Sequence, residues 1–233
     1  MKIKRSKRYE QATALVDSTK RYTLAEAAEV IKKFPAPKFD QTVTVSMHMG
    51  VNPKKSDQMI RSTCPLPHGS GKNVRVVVFA QGDAAAAAEK AGVEEVGFQD
   101  LVKKVQEGYQ DFDVAIATPD AMSEVRKLGR QLGPRGLMPN PKTGTVTDDI
   151  VGAIAAVKAG RVDFKLDRNG NISVGVGKLS FEPSQLVDNV EAVLESVHRA
   201  KPPSARGNYI KSLSITATMS PSVKIDVSPY AVN

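Results

Sequence analysis

The sequence predicts a two-part protein: a discontinuous outer α+β domain with an antiparallel sheet, and an α/β domain inserted into it. Three observations predict this. Strands near the two chain ends alternate apolar and polar residues, as in a sheet with one face in water. Strands in the middle are continuously apolar and alternate with helices, as in a parallel sheet covered on both faces. Charge divides the same way: of the net +8, residues 67–159 carry −1 and the remainder +9. The expected boundaries are therefore 1–66 with 160–233 for the outer domain and 67–159 for the insert, within a length of 233 that suits two domains.

The elements follow in order. Lys2, Lys4, Arg5, Lys7 and Arg8 precede the first acid, Glu10. This run is either a basic arm on nucleic acid or a solvated tail. Thr23 and Glu26 have capping-box spacing and open a helix with Leu24, Ala27, Ala28 and Ile31 on one face; Pro35 and Pro37 end it. From Gln41 to Met49 the period changes to two. Val43, Val45, Met47 and Met49 take one face, and Thr42, Thr44, Ser46 and His48 the other. Leu66, Pro67, Gly69 and Gly71 mark a hinge.

Next come an apolar strand at Val74–Ala80, a helix at Ala84–Ala91, a short strand at Val93–Val96, a helix at Phe98–Glu107, a strand at Val114–Ala117 and a helix at Ala121–Leu132. Past Asp148 a helix runs to Ala159, and Ala159–Gly160 form the second linker. Val162–Leu166 and Ile172–Val176 flank Asp167-Arg168-Asn169-Gly170, a β-hairpin signal. Pro183 begins a long helix with Leu186, Val190, Val193, Leu194 and Val197 inward. Strands at Ser212–Met219 and Val223–Val227 close the chain.

The basic surplus favours partners that carry negative charge. No apolar run approaches the roughly 18 residues of a membrane span, so the expected partner is nucleic acid and not membrane. Cys64 is the single cysteine, and no apolar stretch follows the charged start. Both point to a reducing, cytosolic setting. With no Trp and 5% aromatics, base stacking has few rings to rest on.

Catalytic and cofactor signals fail in detail. His68-Gly69-Ser70-Gly71-Lys72 lacks the leading glycine of a phosphate loop, and Asn73 stands where Ser or Thr would hold a metal ion. Gln81-Gly82-Asp83 supplies one glycine where a dinucleotide fingerprint needs three. His48, His68 and His198 are scattered, with no metal-ligand spacing. The reading is a non-catalytic protein with no cofactor and no metal. The stretch from Lys127 to Lys142 carries Arg130 and Arg135 among three glycines and three prolines, with no acid between Glu124 and Asp148. It is either a contact surface for RNA or protein, or a long structural connection.

LGRQLGPRGLMPNPKTGTV at 128–146 resembles the signature of the universal ribosomal protein family L-one, of the mobile stalk beside the tRNA exit site. KFDQTV from Lys38, LPHGSGK from Leu66, ATPDAM from Ala117, and NYIKS with TATMSPS from Asn208 agree in the same order. The resemblance implies an outer domain from both chain ends and an inserted Rossmann-like domain on a hinge. It implies three partners: large-subunit ribosomal RNA, the messenger RNA of the protein's own operon, and tRNA in the exit site. It also implies a monomer when free.

Carried over by position, the RNA contacts are Lys38, Phe39 and Thr42 at the first long strand and Thr216, Thr218, Met219 and Ser220 at the last, with Lys165 and Lys211 as phosphate contacts from neighbouring strands. Hydroxyls suit 2′-OH and phosphate, and Phe39 and Met219 suit sugars and bases. Two departures stand out. Ser220 replaces the family's usual glycine, and Gln41 and Thr44 stand where many relatives pair acids. Two rivals are a nucleotide-dependent enzyme using Gly82, and an RNA chaperone without preference for one site.

Overall fold

A computed structural model describes residues 5–230 apart from the side chain of Lys142; Lys2 and Lys4 of the basic run lie outside the described residues. In chain order the elements are α1 (Lys7–Ala14), α2 (Leu24–Lys32), β1 (Thr42–Met49), β2 (Arg61–Cys64), β3 (Val76–Phe79), α3 (Asp83–Lys90), β4 (Glu95–Gly97), α4 (Gln99–Gln106), β5 (Val114–Ala117), α5 (Met122–Val125), α6 (Gly129–Leu132), α7 (Ile150–Lys158), β6 (Val162–Lys165), β7 (Asn171–Lys178), α8 (Pro183–Arg199), β8 (Ile210–Ala217) and β9 (Val223–Ile225). They divide into two compact units, Met1–Gly71 with Val162–Asn233, and Lys72–Arg161. The first changeover falls a little beyond the break read at 66/67, because Asn189 of α8 hydrogen-bonds the backbone of His68 and Gly69.

The first unit is built on an antiparallel sheet ordered β7-β1-β8-β9. The period-two pattern of β1 decides which way it faces. Val43, Val45, Met47 and Met49 are buried with Ile172, Val174, Leu213 and Ile215 from neighbouring strands. They pack against Leu186, Val190 and Val193 of α8 and Leu24, Ala27 and Ile31 of α2. The expected capping box starts α2: Thr23 Oγ1 accepts from the Glu26 N–H at 3.3 Å, and the Glu26 carboxylate accepts from the Thr23 N–H at 3.0 Å. Such a cap is worth about 1 kcal/mol. The sheet's other face is left open and is rich in hydroxyls. Across it Thr44 pairs with Thr216, and Ser46 with both Ser214 and Ser173.

In the second unit a parallel sheet ordered β4-β3-β5 is buried on both sides. Val77, Phe79, Ala115 and Ala117 face Leu101, Val105, Leu128 and Leu132. Val76, Val78 and Ile116 face Ala88, Ile150, Ile154 and Val157. Continuous apolar strands are the consequence of helices on both faces.

Three expectations are corrected. The hairpin at 162–176 does not form: β6 pairs with β2 in a separate two-stranded sheet, while β7 pairs with β1. Asp167 explains this, because its carboxylate accepts from the N–H groups of Asn169 (2.8 Å) and Asn171 (2.7 Å), a wider side-chain-closed turn after which the strands part. The single helix at Ala121–Leu132 is instead α5, a 3₁₀ turn at Arg126–Leu128, and α6. Gly129 sits at the second junction, and glycine weakens a helix interior by about 1 kcal/mol. Finally, β8 stops at Ala217, so Met219 is not in a strand.

Candidate functional site

At one end of the four-stranded sheet, β1 begins and β8 ends side by side, with Val43 opposite Ala217. Beyond that pair the two segments remain joined. The Thr218 N–H donates to the Thr42 carbonyl at 3.1 Å. The Thr218 hydroxyl accepts from the Thr42 N–H at 3.2 Å and donates to the Thr42 carbonyl at 3.1 Å. A turn follows, closed by the Ser220 N–H on the Ala217 carbonyl at 3.0 Å, with Met219 at φ 61°. A positive φ at the third residue of such a turn is usually left to glycine or asparagine.

The corner brings together Thr42, Thr216, Thr218, Met219 and Ser220, with Lys38 and Phe39 on the segment entering β1. Phe39 is 48% exposed and Met219 68%, so neither is core. Lys38 is exposed. The threonine hydroxyls are partly committed to the fold: Thr42 Oγ1 accepts from Lys178 at 3.2 Å, and Thr216 Oγ1 donates to the Thr44 carbonyl at 3.4 Å. A hydroxyl has one hydrogen and two lone pairs, so each keeps further bonding capacity. Ser220 needs no glycine-only backbone, because the positive φ belongs to Met219; its hydroxyl turns onto Gln41 Oε1 at 3.2 Å. Gln41 is fully buried, and its Nε2 has no partner among the described residues.

Lys165 and Lys211 lie elsewhere. Lys165 is on β6, opposite Arg61 in the two-stranded sheet. Lys211 is near the start of β8, roughly 20 Å of strand from Thr218 at about 3.3 Å per residue. There it lines an open bowl with Asn52, Lys55, Gln58 and Arg206. Three residues at the corner were not expected there from the sequence. Lys178 carries no local signal for it, and Gln41 stands out only as a departure from the family's acid pairing. Arg8 was read only as part of the basic run. Arg8 Nη2 donates to the Met219 carbonyl at 2.8 Å, and Nη1 makes a long 3.5 Å contact with the Pro35 carbonyl. In the same run, the Arg5 guanidinium lies 4.8 Å from the Tyr9 ring centroid.

The residues expected to form a hinge divide between local roles. Leu66 is buried, and Pro67 is exposed. Asn189 of α8, itself fully buried, accepts from the His68 N–H at 3.1 Å and donates to the carbonyls of Gly69 (3.1 Å) and Val176 (2.7 Å). Gly71 has φ 67°, and a Cβ there would stand 2.8 Å from Lys178 Cγ. Ala159 caps α7, and Gly160 at φ 95° ends it.

In the second unit a small pocket of about 220 Å³ lies at the strand ends, lined by Gln81, Phe98, Thr118, Asp120 and Asp148. Its carboxylates oppose a nucleotide's phosphates, and it is below the roughly 300 Å³ at which ligand sites begin. The basic stretch is anchored by buried Val125, Leu128 and Leu132. Lys127 pairs with Glu124 at 2.6 Å, and Arg135 donates to Gln110.

Comparison with known proteins bears on the whole chain. A family model described as the ribosomal protein L1p/L10e family matches residues 31–221. The chain is similar to the large ribosomal subunit protein uL1 of Saccharopolyspora erythraea, at 51% identity over 223 residues, 96% of this chain and 94% of that protein.

Proposed function

Because this chain belongs to the ribosomal protein L1p/L10e family, we propose that it is a structural constituent of the large ribosomal subunit that grips stalk ribosomal RNA with the corner formed by β1 and β8. The family is one of ribosomal proteins and not of enzymes. Its place is accordingly the ribosome of the cytoplasm.

One observation carries the RNA reading. Phe39 and Met219, on segments far apart in sequence, are both large, apolar and exposed beside a hydroxyl-lined sheet edge. Exposed apolar surface does nothing for the free protein's stability, but it packs on sugars and bases. Lys38 and Lys178 supply charge for phosphate. In this reading the second unit moves on the two linkers at Leu66–Gly71 and Ala159–Gly160 and reaches tRNA leaving the exit site. The same corner binds a mimic of the stalk in the protein's own messenger RNA and represses its translation.

The test is a gel-shift titration against a stalk RNA fragment and a scrambled hairpin of equal length over a salt series. Preference for the stalk fragment, abolished in Met219→Ala, is the expected result. Equal binding to both RNAs, unaffected by that change, would overturn the assignment and favour a general RNA chaperone. Adding the stalk-like segment of the operon message as competitor tests repression: failure to displace the stalk fragment would remove that part.

A further inference from the structure

We infer that Arg8 is a positioning residue for RNA binding, a strut that fixes the Met219 turn through the protein's own carbonyls rather than a contact to phosphate. The inference rests on the corner reading above. Met219 occupies a left-handed backbone conformation at φ 61°. For a non-glycine residue that conformation is strained, and it persists only where the surroundings over-determine it. The flanks of the turn are fixed by Thr218 against Thr42 and by Ser220 against Gln41. The peptide between Met219 and Ser220 is held on both sides: its N–H, from Ser220, closes the turn on the Ala217 carbonyl at 3.0 Å, and its carbonyl, from Met219, accepts from Arg8 at 2.8 Å.

The other arm of the same guanidinium lies 3.5 Å from the Pro35 carbonyl, just ahead of Lys38 and Phe39. A guanidinium presents its donors in a rigid planar fork. One side chain therefore ties together both segments that carry the exposed apolar pair. Its own position is set by α1, which starts at a Ser6 cap (Ser6 Oγ accepts from the Tyr9 N–H at 3.3 Å) and is seated by buried Ala12. The family match begins at residue 31, so Arg8 reaches the turn from a segment outside it.

Salt dependence separates a strut from a phosphate-binding cation. Removing a cation that neutralises one phosphate lowers the slope of log affinity against log salt by about 0.7–0.9; removing a strut leaves the slope unchanged. Stalk RNA would be titrated over a salt series with wild type, Arg8→Ala, Arg8→Lys, Met219→Ala and the Arg8→Ala/Met219→Ala double variant, each first checked by circular dichroism and thermal melting. The expected result is a fall of about tenfold in Arg8→Ala, the order of one charge-assisted hydrogen bond, with the slope kept. Arg8→Lys should fail to rescue, since an ammonium lacks the planar fork. In the Met219→Ala background the Arg8 change should add little, as coupled residues do. A reduced slope with additive losses would make Arg8 an ordinary phosphate contact, and wild-type affinity in Arg8→Ala would give it no role. Wild-type affinity in Met219→Ala would remove the corner reading itself, and the strut with it.

Discussion

Replacing Met219 by glycine and by alanine separates the work this residue does for the fold from the work proposed for RNA. Met219 is 68% exposed, so only about a third of its surface is buried. Full burial of a methionine is worth about 1.5–3 kcal/mol, so this fraction stabilises by about 0.5–1 kcal/mol. Its left-handed backbone costs about 1 kcal/mol or more. Glycine removes that strain but adds freedom to the unfolded chain, about 0.4–1 kcal/mol. These contributions nearly cancel, so Met219→Gly should lie within about 1 kcal/mol of wild type in urea unfolding. Met219→Ala keeps the strain without the side chain's packing, and should be the less stable variant by a few tenths, up to about 0.6 kcal/mol. Both should bind stalk RNA more weakly, to a similar extent, because both lack the thioether side chain. Unfolding midpoints from urea titrations, with gel shifts on the same preparations, give the comparison. If the glycine variant were destabilised by more than about 2 kcal/mol, Met219 would be anchoring the core and the argument from exposure would be refuted.

Phe39→Ala should cost the free protein about 0.8–1.5 kcal/mol, since the residue is 48% exposed, yet weaken stalk RNA binding at least about tenfold; a loss of more than about 3 kcal/mol would instead make Phe39 structural. Asn189→Ala leaves the His68 N–H and the Gly69 and Val176 carbonyls without their partner. At about 1–3 kcal/mol for each group that stays dry, the expected loss is about 2–4 kcal/mol by urea unfolding, with faster amide exchange at His68; unchanged exchange would show that Asn189 does not pin this segment. The Asn171 N–H, with Asn169 and Gly170 behind it, holds the Asp167 carboxyl below the usual aspartate range. A lowered folded value means stabilisation present above the unfolded pKa and lost as pH falls through the folded one. The Asn169 and Asn171 amide resonances should therefore move below the ordinary aspartate titration. Asp167→Asn should abolish that movement, and its persistence would point to another group.

What could be read from the sequence follows the range of the interactions involved. The faces of β1, the capped start of α2 and the inward stripe of α8 rest on spacings of two to seven residues, and each appears as read. The hairpin failed because Asn169-Gly170 looks the same whether the following strand turns back on β6 or leaves for β1; the choice is made by Asp167 and by partners far along the chain. The end of β8 was misplaced because Thr218 and Met219 continue its pattern, while the break is a backbone conformation set by tertiary contacts. Arg8 was visible only as one cation among several. Its hydrogen bond to Met219 spans 211 positions and no local pattern encodes it. Sequence resemblance, in contrast, named Phe39 and Met219 as RNA contacts although both are large and apolar, and both are exposed.

The order β7-β1-β8-β9 has a consequence for the growing chain. β1 leaves the ribosome early, and both of its neighbours are made after the entire second unit. Domains generally fold as units while synthesis continues, so Lys72–Arg161 has everything its own sheet needs while β1 still waits with two open edges. The corner comes into being only when Thr216–Ser220 arrive, well after β1 and the second unit. A polypeptide released early by a premature stop carries Lys38 and Phe39 but has neither Met219 nor the hydroxyl that closes on Thr42. On the proposed RNA reading, a chain that stops before Thr216 carries one half of the corner and should not bind the stalk fragment.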